Sequence, residues 1–286
     1  MSQGRNRWFV KIVLILAVIA LLGGSMVPII AAFNDSQQSG NIGSTNSASD
    51  QQSKLEDTIR GYELVLQREP ENQTALRGLL ETRLQLIRLG QGDIKGVITP
   101  LEKLSKLNPE ETRYAVLLAQ AKQQTGDKEG AAQVYRNVLE TRPGDLPSLQ
   151  GMVALLLEQK RPEAAIGLLQ ESLDKAEKAN KIEPNSVDTT AVQVLLGNVY
   201  AKEKRYAQAL STYDKLIKTD SKDFRPVLAK AMVLKEQGKT EEAEPLFDRA
   251  ASLAPAQYKD EINRQKQAST ASPTPTPESS PASEKE

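Results

Sequence analysis

Two stretches of the chain, GDKEGAAQVYRNVLETRP at residues 126–143 and GKTEEAEPLFDRAASLAP at residues 238–255, carry one pattern of small, aromatic and proline positions. In each stretch the marked positions are separated by five, four, three and five residues: Gly126, Ala131, Tyr135, Val138 and Pro143, then Gly238, Ala243, Phe247, Ala250 and Pro255. A third copy lies 34 residues before the second at every position: Lys204, Ala209, Tyr213, Leu216 and Ser221. Self-similarity at a fixed period predicts a repeat architecture.

The rest of residues 53–268 has the composition of short helices. Apolar residues recur at helical spacing, and Gly, Asn, Asp or Pro interrupts the pattern every 12 to 18 residues. Aromatic residues make up only 4% of the chain, whereas strong helix formers such as Ala, Leu, Glu, Lys and Gln are abundant. The sequence therefore predicts an all-α fold.

The repeated positions resemble the tetratricopeptide repeat (TPR) family, whose 34-residue unit is a pair of antiparallel helices, A and B. The Leu-Gly-x-x-Tyr pattern of helix A is matched here by Leu196, Gly197 and Tyr200. The resemblance implies a superhelical solenoid of antiparallel helix pairs. Small residues such as Gly197 would let a neighbouring helix approach, and rings such as Tyr213 would fill the next gap.

The pattern divides residues 53–268 into a half repeat, five full repeats and a capping helix. The predicted boundaries are 54–72 for the half repeat, then 73–111, 112–145, 146–189, 190–223 and 224–257, with the cap at 256–268. The unit at residue 73 is five residues longer than 34, and the unit at residue 146 is ten longer. We expect an irregular turn near 89–95 and a lengthened helix B over 170–182.

An uncharged segment near the N-terminus, IVLILAVIALLGGSMVPIIAAF at residues 12–33, has the length of a membrane span. Twenty-two helical residues at about 1.5 Å each cross the roughly 30 Å hydrocarbon core. We therefore predict one transmembrane helix over 11–33. Three basic residues, Arg5, Arg7 and Lys11, precede the uncharged segment 12–33, and acidic residues follow it. The positive-inside rule then places the N-terminus in the cytoplasm and the TPR domain on the trans side, in a periplasm or thylakoid lumen. The alternative is a cleaved signal peptide, which would leave a secreted or periplasmic protein.

Two further segments have the composition of flexible chain. Residues 34–52 are rich in Ser, Asn, Gly and Gln, which predicts a flexible linker behind the membrane helix. Residues 269–286 are rich in Pro, Ser and Thr, which predicts a disordered tail.

The residue types exclude several kinds of chemistry. The chain has no Cys and no His, so thiolate, imidazole and Cys/His zinc chemistry are not available to it. It lacks phosphate-binding, dinucleotide-binding and nucleophile-elbow motifs, and no carboxylate pair is set apart in apolar surroundings. Lys+Arg and Asp+Glu both total 37, a balance that disfavours nucleic-acid binding. We expect neither an enzyme nor a cofactor or metal site.

The TPR resemblance implies a ligand groove lined by helix A positions 2, 5, 9, 12 and 13. We call these five positions, taken over all full repeats, the groove face. Its polar members form a mixed lining that suits an extended peptide or a helix. They are Arg77, Glu81, Gln85, Arg113, Gln120, Gln123, Gln124, Gln150, Glu158, Asn198, Lys202, Arg225, Lys235 and Glu236.

Two comparisons with known kinds of TPR protein limit the partners that the sequence favours. Chaperone-binding TPR domains pair Lys at position 5 with Asn at position 9 to clamp a C-terminal carboxylate, but Asn198 here is preceded by Val194, so that clamp is absent. The stretch from Tyr213 to Ala243 resembles cyanobacterial and plastid TPR proteins of the SLOW GREEN group, with Asp223-Phe224-Arg225-Pro226 its most distinctive part. That likeness implies a role in the biogenesis of membrane complexes.

The sequence thus favours a membrane-tethered scaffold that mediates protein–protein interaction in the assembly of membrane protein complexes. Two alternatives stay open. One is an envelope quality-control factor that binds many unfolded clients weakly. The other is a structural protein that self-associates through its terminal repeats. The oligomeric state is not decided by the sequence.

Overall fold

The computed structural model describes residues 46–267, which form twelve α-helices and one short 3-10 helix, with no strand among them. The helices are α1 Asn46–Arg68, α2 Gln73–Arg88, the 3-10 helix Ile94–Val97, α3 Ile98–Leu107, α4 Thr112–Gln124, α5 Lys128–Thr141, α6 Leu146–Glu158, α7 Pro162–Ile182, α8 Thr189–Lys202, α9 Tyr206–Thr219, α10 Phe224–Glu236, α11 Thr240–Leu253 and α12 Ala256–Gln267. The predicted membrane helix at 11–33 and the predicted tail at 269–286 lie outside the described residues. Within residues 46–267, no helix is both long enough and apolar enough to cross a membrane.

Helix α1 begins earlier than the sequence pattern indicates. The linker was predicted to extend to residue 52, but residues 46–52 are helical and continuous with the predicted half repeat. Polar composition alone does not end a helix, and no glycine or proline occurs between Gly43 and Gly61. Helix α1 is therefore 23 residues long and includes the last part of the predicted linker, up to Gln52.

The helices from α2 to α11 form five consecutive hairpins. Each helix packs against the next along the chain, and the first helices of neighbouring hairpins (α4 with α6, α6 with α8, and α8 with α10) also contact one another. Polar caps start four of the five first helices: the side chains of Asn72, Asp145, Asp188 and Asp223 accept backbone N–H bonds of 2.9–3.0 Å. These caps satisfy donors that would otherwise lack partners at the helix starts. They explain why Asn and Asp recur between the apolar runs.

The turn between the two helices of a hairpin requires a left-handed residue. Gly126 and Gly238 have φ angles of +91° and +77° at this turn, where glycine has no steric penalty. Lys204, which aligns with them in the sequence, adopts φ +58°, and Lys160 has the same angle in the preceding hairpin. A left-handed non-glycine residue costs about 1–2 kcal/mol, a cost that the packing of the two helices of each hairpin must offset.

Rings from the second helices fill gaps beside small residues on the first helices. Tyr135, Tyr213 and Phe247 are at most 2% exposed. The ring of Tyr213 lies over Gly197, where an added Cβ would come within 2.4 Å of Cε1. The ring of Tyr135 lies in the same way over Gly151 of the following hairpin. A ring packed on a glycine therefore joins the two helices of one hairpin, and the same contact also joins one hairpin to the next.

Burial of these rings affects their ionisation. Removal of the Tyr135 hydroxyl from water raises the pKa of that side chain to about 12, and burial raises the pKa of Tyr213 as well. Both rings thus stay neutral across the physiological range. The Tyr213 hydroxyl donates a hydrogen bond of 2.8 Å to Oδ1 of Asn198.

The two longer units contain ordered additions. In the first, the chain turns through Gly90 at φ +75° and enters the 3-10 helix, which Asp93 caps. In the second, α7 runs for 21 residues and is followed by a loop that its own Asn180 holds. The Asn180 amide donates to the carbonyl of Val187 and accepts from its N–H, both at 2.9 Å. In this second unit, the extra residues thus lengthen the second helix of the hairpin and form a loop that Asn180 stabilises by hydrogen bonds.

We expect Gly197→Ala to destabilise the protein, because its methyl group would require the fully buried Tyr213 ring to move. Overpacking of this kind costs about 1–3 kcal/mol, which exceeds the gain in helix propensity. The matched control is Gly167→Ala in α7, where an added Cβ meets nothing within 4 Å, and it should stabilise by roughly 0.5–1 kcal/mol. Urea denaturation of both variants measures the difference. Equal stabilisation by both substitutions would refute the contact between Gly197 and the ring.

Candidate functional site

The groove face lies on α2, α4, α6, α8 and α10, the first helices of the five hairpins. None of its 14 predicted residues is buried. Gln85, Gln120, Gln123, Arg225 and Lys235 are half-buried, and the other nine are exposed. Positions 5, 9 and 13 are four residues apart, so they share one side of each helix. The structure shows which of the predicted residues are held by neighbours inside the fold.

At the first junction, two arginines of the groove face lie beside one acidic side chain. Glu111 lies 3.9 Å from Arg77 and 2.8 Å from Arg113 in its ion pairs. The Arg113 guanidinium also lies 4.9 Å from the centroid of the Tyr114 ring. These groups are about half exposed, so each pair contributes little to the free energy of unfolding. Their main effect is to offset part of the positive charge at this end of the groove face.

At the next junctions, groove-face residues bridge neighbouring helices. Glu158 accepts from Lys128 at 2.8 Å and from Gln123 at 3.4 Å, which links α6 to the preceding hairpin. Asn198 is held by the Tyr213 hydroxyl. Glu236 accepts a bond of 3.3 Å from the hydroxyl of Tyr206. These contacts cross between helices, so they position the hairpins.

Arg225 is a structural residue of the α8–α10 junction. Its guanidinium binds Asp223, with one bond of 2.6 Å, and also binds the Asp188 carboxylate that caps α8. Bonds to Asp223 and then to Asp188 outweigh burial and raise the pKa of Arg225. Burial raises the pKa of Asp188, but bonds from Arg225 and from the N–H of Ala191 outweigh it, and the pKa ends below its ordinary value. The pair therefore stays ionised at neutral pH.

The side chain of Lys235 binds the end of helix α12. Its ammonium group donates to the carbonyls of Gln265 and Lys266, the latter at 3.3 Å, and lies 5.1 Å from the Phe247 ring centroid. These carbonyls belong to the last turn of α12, where a cation satisfies free acceptors and the helix dipole. Burial lowers the pKa of Lys235. This side chain anchors the end of the last described helix.

Six residues of the groove face make no side-chain hydrogen bond or ion pair with any residue between 46 and 267. They are Glu81, Gln85, Gln120, Gln124, Gln150 and Lys202. Four of the six are glutamines, and they lie on the first three of the five first helices. Their donors and acceptors are available to a ligand. As partner-binding residues, all 14 remain a prediction.

Apolar residues at the same groove-face positions were left out of the sequence prediction. Ala154 is exposed, Leu157, Val194 and Leu228 are half-buried, and Met232 is 46% exposed. We call these five residues the apolar segment; they lie on α6, α8 and α10. The signal was present in the sequence, because these residues occupy positions 5, 9 and 12 like their polar counterparts. The prediction considered polar side chains alone and therefore missed them.

An open cleft of about 380 Å³ lies between α1, α2 and α3. Its charged groups are used inside the fold: Glu63 pairs with Arg83 at 2.5 Å, and Lys103 donates to the carbonyl of Pro70 at 3.0 Å. In the described part of the chain, no three acidic side chains are grouped to hold a metal ion. We therefore interpret the cleft as a gap in the packing between these three helices.

Consecutive antiparallel hairpins, with an open face on their first helices, define a helical-repeat protein of the kind that binds other polypeptides. The family model described as tetratricopeptide repeat matches residues 88–253. The chain belongs to the tetratricopeptide repeat family. Domains of this family bind protein or peptide partners and are generally not enzymes, and the fold suggests a scaffold for protein–protein interaction.

Parts of this chain are similar to known proteins and to solved structures. The protein SLOW GREEN 1, chloroplastic, of Arabidopsis thaliana is 26% identical over 194 residues, which cover 68% of this chain and 58% of the relative. The cellulose synthase operon protein C of Pseudomonas fluorescens is 31% identical over 111 residues, 37% of this chain. The chain spans only 9% of that second relative. A crystal structure of a tetratricopeptide repeat protein from Parabacteroides merdae matches at 15% identity with a TM-score of 0.47, over 79% of this chain and 82% of that one.

Among the predicted site residues, Lys235 and Lys202 should behave differently. We expect Lys235→Met to speed amide hydrogen exchange in α12 by roughly fivefold, because it removes the ammonium from the last carbonyls but keeps an apolar stem over Phe247. Lys202→Met, the control, should leave exchange in α12 unchanged. Unaltered protection of α12 in the Lys235 variant would show that this lysine does not hold the helix.

Proposed function

We propose that this chain is a membrane-tethered TPR scaffold that holds a protein partner while a membrane protein complex is assembled. In this proposal, residues 11–33 form the tether, the N-terminus is cytoplasmic, and the TPR domain lies on the trans side of the membrane. The protein partner binds the groove face. The chain has no catalytic step in this process.

The observation that carries the proposal is the set of six groove-face side chains without partners inside the fold. A polar side chain on an ordered helix is expected to bond to water or to a ligand. Here such side chains recur on one side of α2, α4, α6 and α8, at positions 5, 9 and 13. A line of available donors and acceptors across four hairpins fits a polypeptide ligand better than a small molecule.

The tether is supported by the sequence. The 22 uncharged residues at 12–33 are long enough to span the bilayer core, and basic residues flank one side of them. The likeness to SLOW GREEN 1 of Arabidopsis, a protein described as chloroplastic, supports a setting in which membrane complexes are assembled. The alternative function is quality control, in which the groove face binds many unfolded clients. The mixed polar lining favours it as well, so one experiment should separate the two.

Site-specific photo-crosslinking in native membranes tests the binding site. A photoreactive amino acid at Gln124, on the groove face, should capture a polypeptide, whereas the same group at Gln170, exposed on the second helix α7, should capture much less. One stoichiometric product identified by mass spectrometry supports the scaffold, and a diffuse set of products supports quality control. Equal capture from both positions would refute the groove face as the binding site.

The same membranes test the tether. The full chain should stay in the pellet after alkaline extraction, and a chain without residues 11–33 should move to the supernatant. Protease added to the trans side should digest the TPR domain. Release of the full chain at high pH would contradict the tether without affecting the crosslinking result.

A further inference from the structure

We infer that the TPR domain rests on anionic lipid headgroups through one edge of its repeats, where basic turns join the two helices of each hairpin. The inference rests on the proposed function, because it assigns an orientation to a domain that residues 11–33 tether. It identifies a second contact surface, which borders the groove face, and a partner of defined chemistry: the phosphate groups of a membrane surface.

The turns of the repeats form two edges of opposite charge. Because consecutive helices are antiparallel, turns within hairpins lie at one edge, and the turn after α1 and the turns between hairpins lie at the other. The first set, which we call the basic edge, carries eight basic and five acidic residues; the second set, the acidic edge, carries three basic and nine acidic residues. The basic edge comprises residues 88–94, 124–128, 158–162, 202–206 and 236–240, and the acidic edge comprises residues 68–73, 107–112, 141–146, 182–189 and 219–224.

The positive charge is concentrated at the third and fourth hairpins. Lys160 and Arg161 lie in one turn of the basic edge, and Lys204 and Arg205 lie in the next. Arg205 bonds to Glu163 at 2.7 Å, so the two turns are neighbours. Lys160, Arg161 and Lys204 are exposed, and their side chains make no hydrogen bond or ion pair with any residue between 46 and 267. Two neighbouring turns therefore present three cations that this part of the fold does not use.

Two of these cations occupy positions that favour glycine. Lys160 and Lys204 both have φ +58°, whereas the same turn in the other three hairpins contains Gly90, Gly126 and Gly238. Glycine adopts a positive φ without the steric cost that a lysine side chain adds. Backbone strain of this kind is typical of functional sites. Lysine in both turns therefore indicates that its charge is used outside the fold.

The acidic edge has a structural explanation that the basic edge lacks. Asp145, Asp188 and Asp223 each accept a backbone N–H bond at the start of a first helix. An acidic side chain at that place also interacts favourably with the helix dipole. The separation of charge is thus only partly a result of helix capping, and the three cations of the central turns need a partner of another kind.

The predicted tether enters the domain at the basic edge. Helix α1 has the place of a second helix, because the ring of Tyr62 lies over Gly78 of α2, where an added Cβ would come within 2.3 Å of Cζ. Leu55 of α1 then aligns with Lys128, the first residue of α5, at the basic edge. The predicted membrane segment ends at residue 33, which is 22 residues before Leu55 in the chain. A second helix of 14 residues is about 21 Å long, so the acidic edge is about 20 Å farther from the tether along α1.

Charge and position together favour a membrane surface as the partner. Anionic headgroups attract each Lys or Arg near the surface enough to strengthen binding roughly fivefold, and this attraction decays within about 8 Å at physiological salt. A tether keeps the domain within reach of lipid, so a weak contact is populated without high affinity. An acidic protein would also attract the cations, but the chain itself brings only lipid to this edge. The acidic edge would then face away from the membrane.

Fluorescence quenching in nanodiscs tests this contact. The chain has no Cys, so one dye can be attached at Ala207→Cys, at the start of α9 on the basic edge, or at Ser221→Cys, just beyond the other end of α9 on the acidic edge. Both positions are exposed. The full chain is reconstituted into nanodiscs that carry nitroxide groups on lipid headgroups. With about 30% phosphatidylglycerol, quenching at residue 207 should exceed quenching at residue 221 by about threefold or more, and pure phosphatidylcholine or about 500 mM salt should remove the difference.

A triple variant tests the named cations. Lys160→Gln with Arg161→Gln and Lys204→Gln should reduce quenching at residue 207 in phosphatidylglycerol nanodiscs to the level seen in pure phosphatidylcholine. The matched control is Lys178→Gln with Lys215→Gln and Lys218→Gln, which removes the same net charge at exposed positions outside the basic edge. It should leave the quenching unchanged. Thermal denaturation checks that each variant is folded.

The outcomes separate this inference from the proposed function. Equal quenching at residues 207 and 221, or quenching at residue 207 that does not depend on phosphatidylglycerol, would overturn the inference and leave the tether intact. So would equal quenching in the wild type and the triple variant. A full chain that does not co-elute with nanodiscs would contradict the tether. The inference would then stand only if the wild type, and not the triple variant, co-sedimented with phosphatidylglycerol vesicles, and it would otherwise fail as well.

Discussion

The contact of a ring with a small residue on a neighbouring helix is the constraint on which the rest of the structure depends. Tyr213 over Gly197 closes one hairpin, and Tyr135 over Gly151 joins one hairpin to the next. Glycine at these points lets two helix axes come close, and the ring then fills the space that remains. Because the same contact recurs along the chain, adding a repeat extends the core without changing its thickness.

This way of building the core determines where binding can occur. The buried side of each first helix is committed to the core, mainly through aliphatic residues such as Leu76, Leu149 and Val227, so its opposite side is free to vary. Ion pairs such as Arg225 with Asp188 use part of that side to set the angle between hairpins. What remains on the groove face is a narrow line of glutamines without partners inside the described fold, next to an apolar segment that is partly exposed. A ligand that lies across several hairpins would also stabilise the junctions it bridges.

The sequence predicted the repeat period, the ring positions and the turns because each depends on residues close together in the chain. Gly126 and Gly238 mark a turn that needs a positive φ, and Pro143 and Pro255 follow the helix ends by two residues. The division of the groove face into occupied and available residues could not be predicted this way. Lys235 contacts carbonyls 30 and 31 residues away, and Arg225 contacts Asp188, 37 residues away. Those pairings depend on how hairpins stack, which a single repeat does not encode.

The dependence of each hairpin on its neighbours can be measured directly with an excised unit. The peptide of residues 190–223 contains α9 and nearly all of α8, with the Tyr213–Gly197 contact, but lacks the neighbouring hairpins that cover its outer surfaces. Circular dichroism at 222 nm during urea titration should show an unfolded or weakly helical peptide without a cooperative transition, since a single pair buries too little apolar surface. A cooperative unfolding transition of the isolated hairpin would contradict the account.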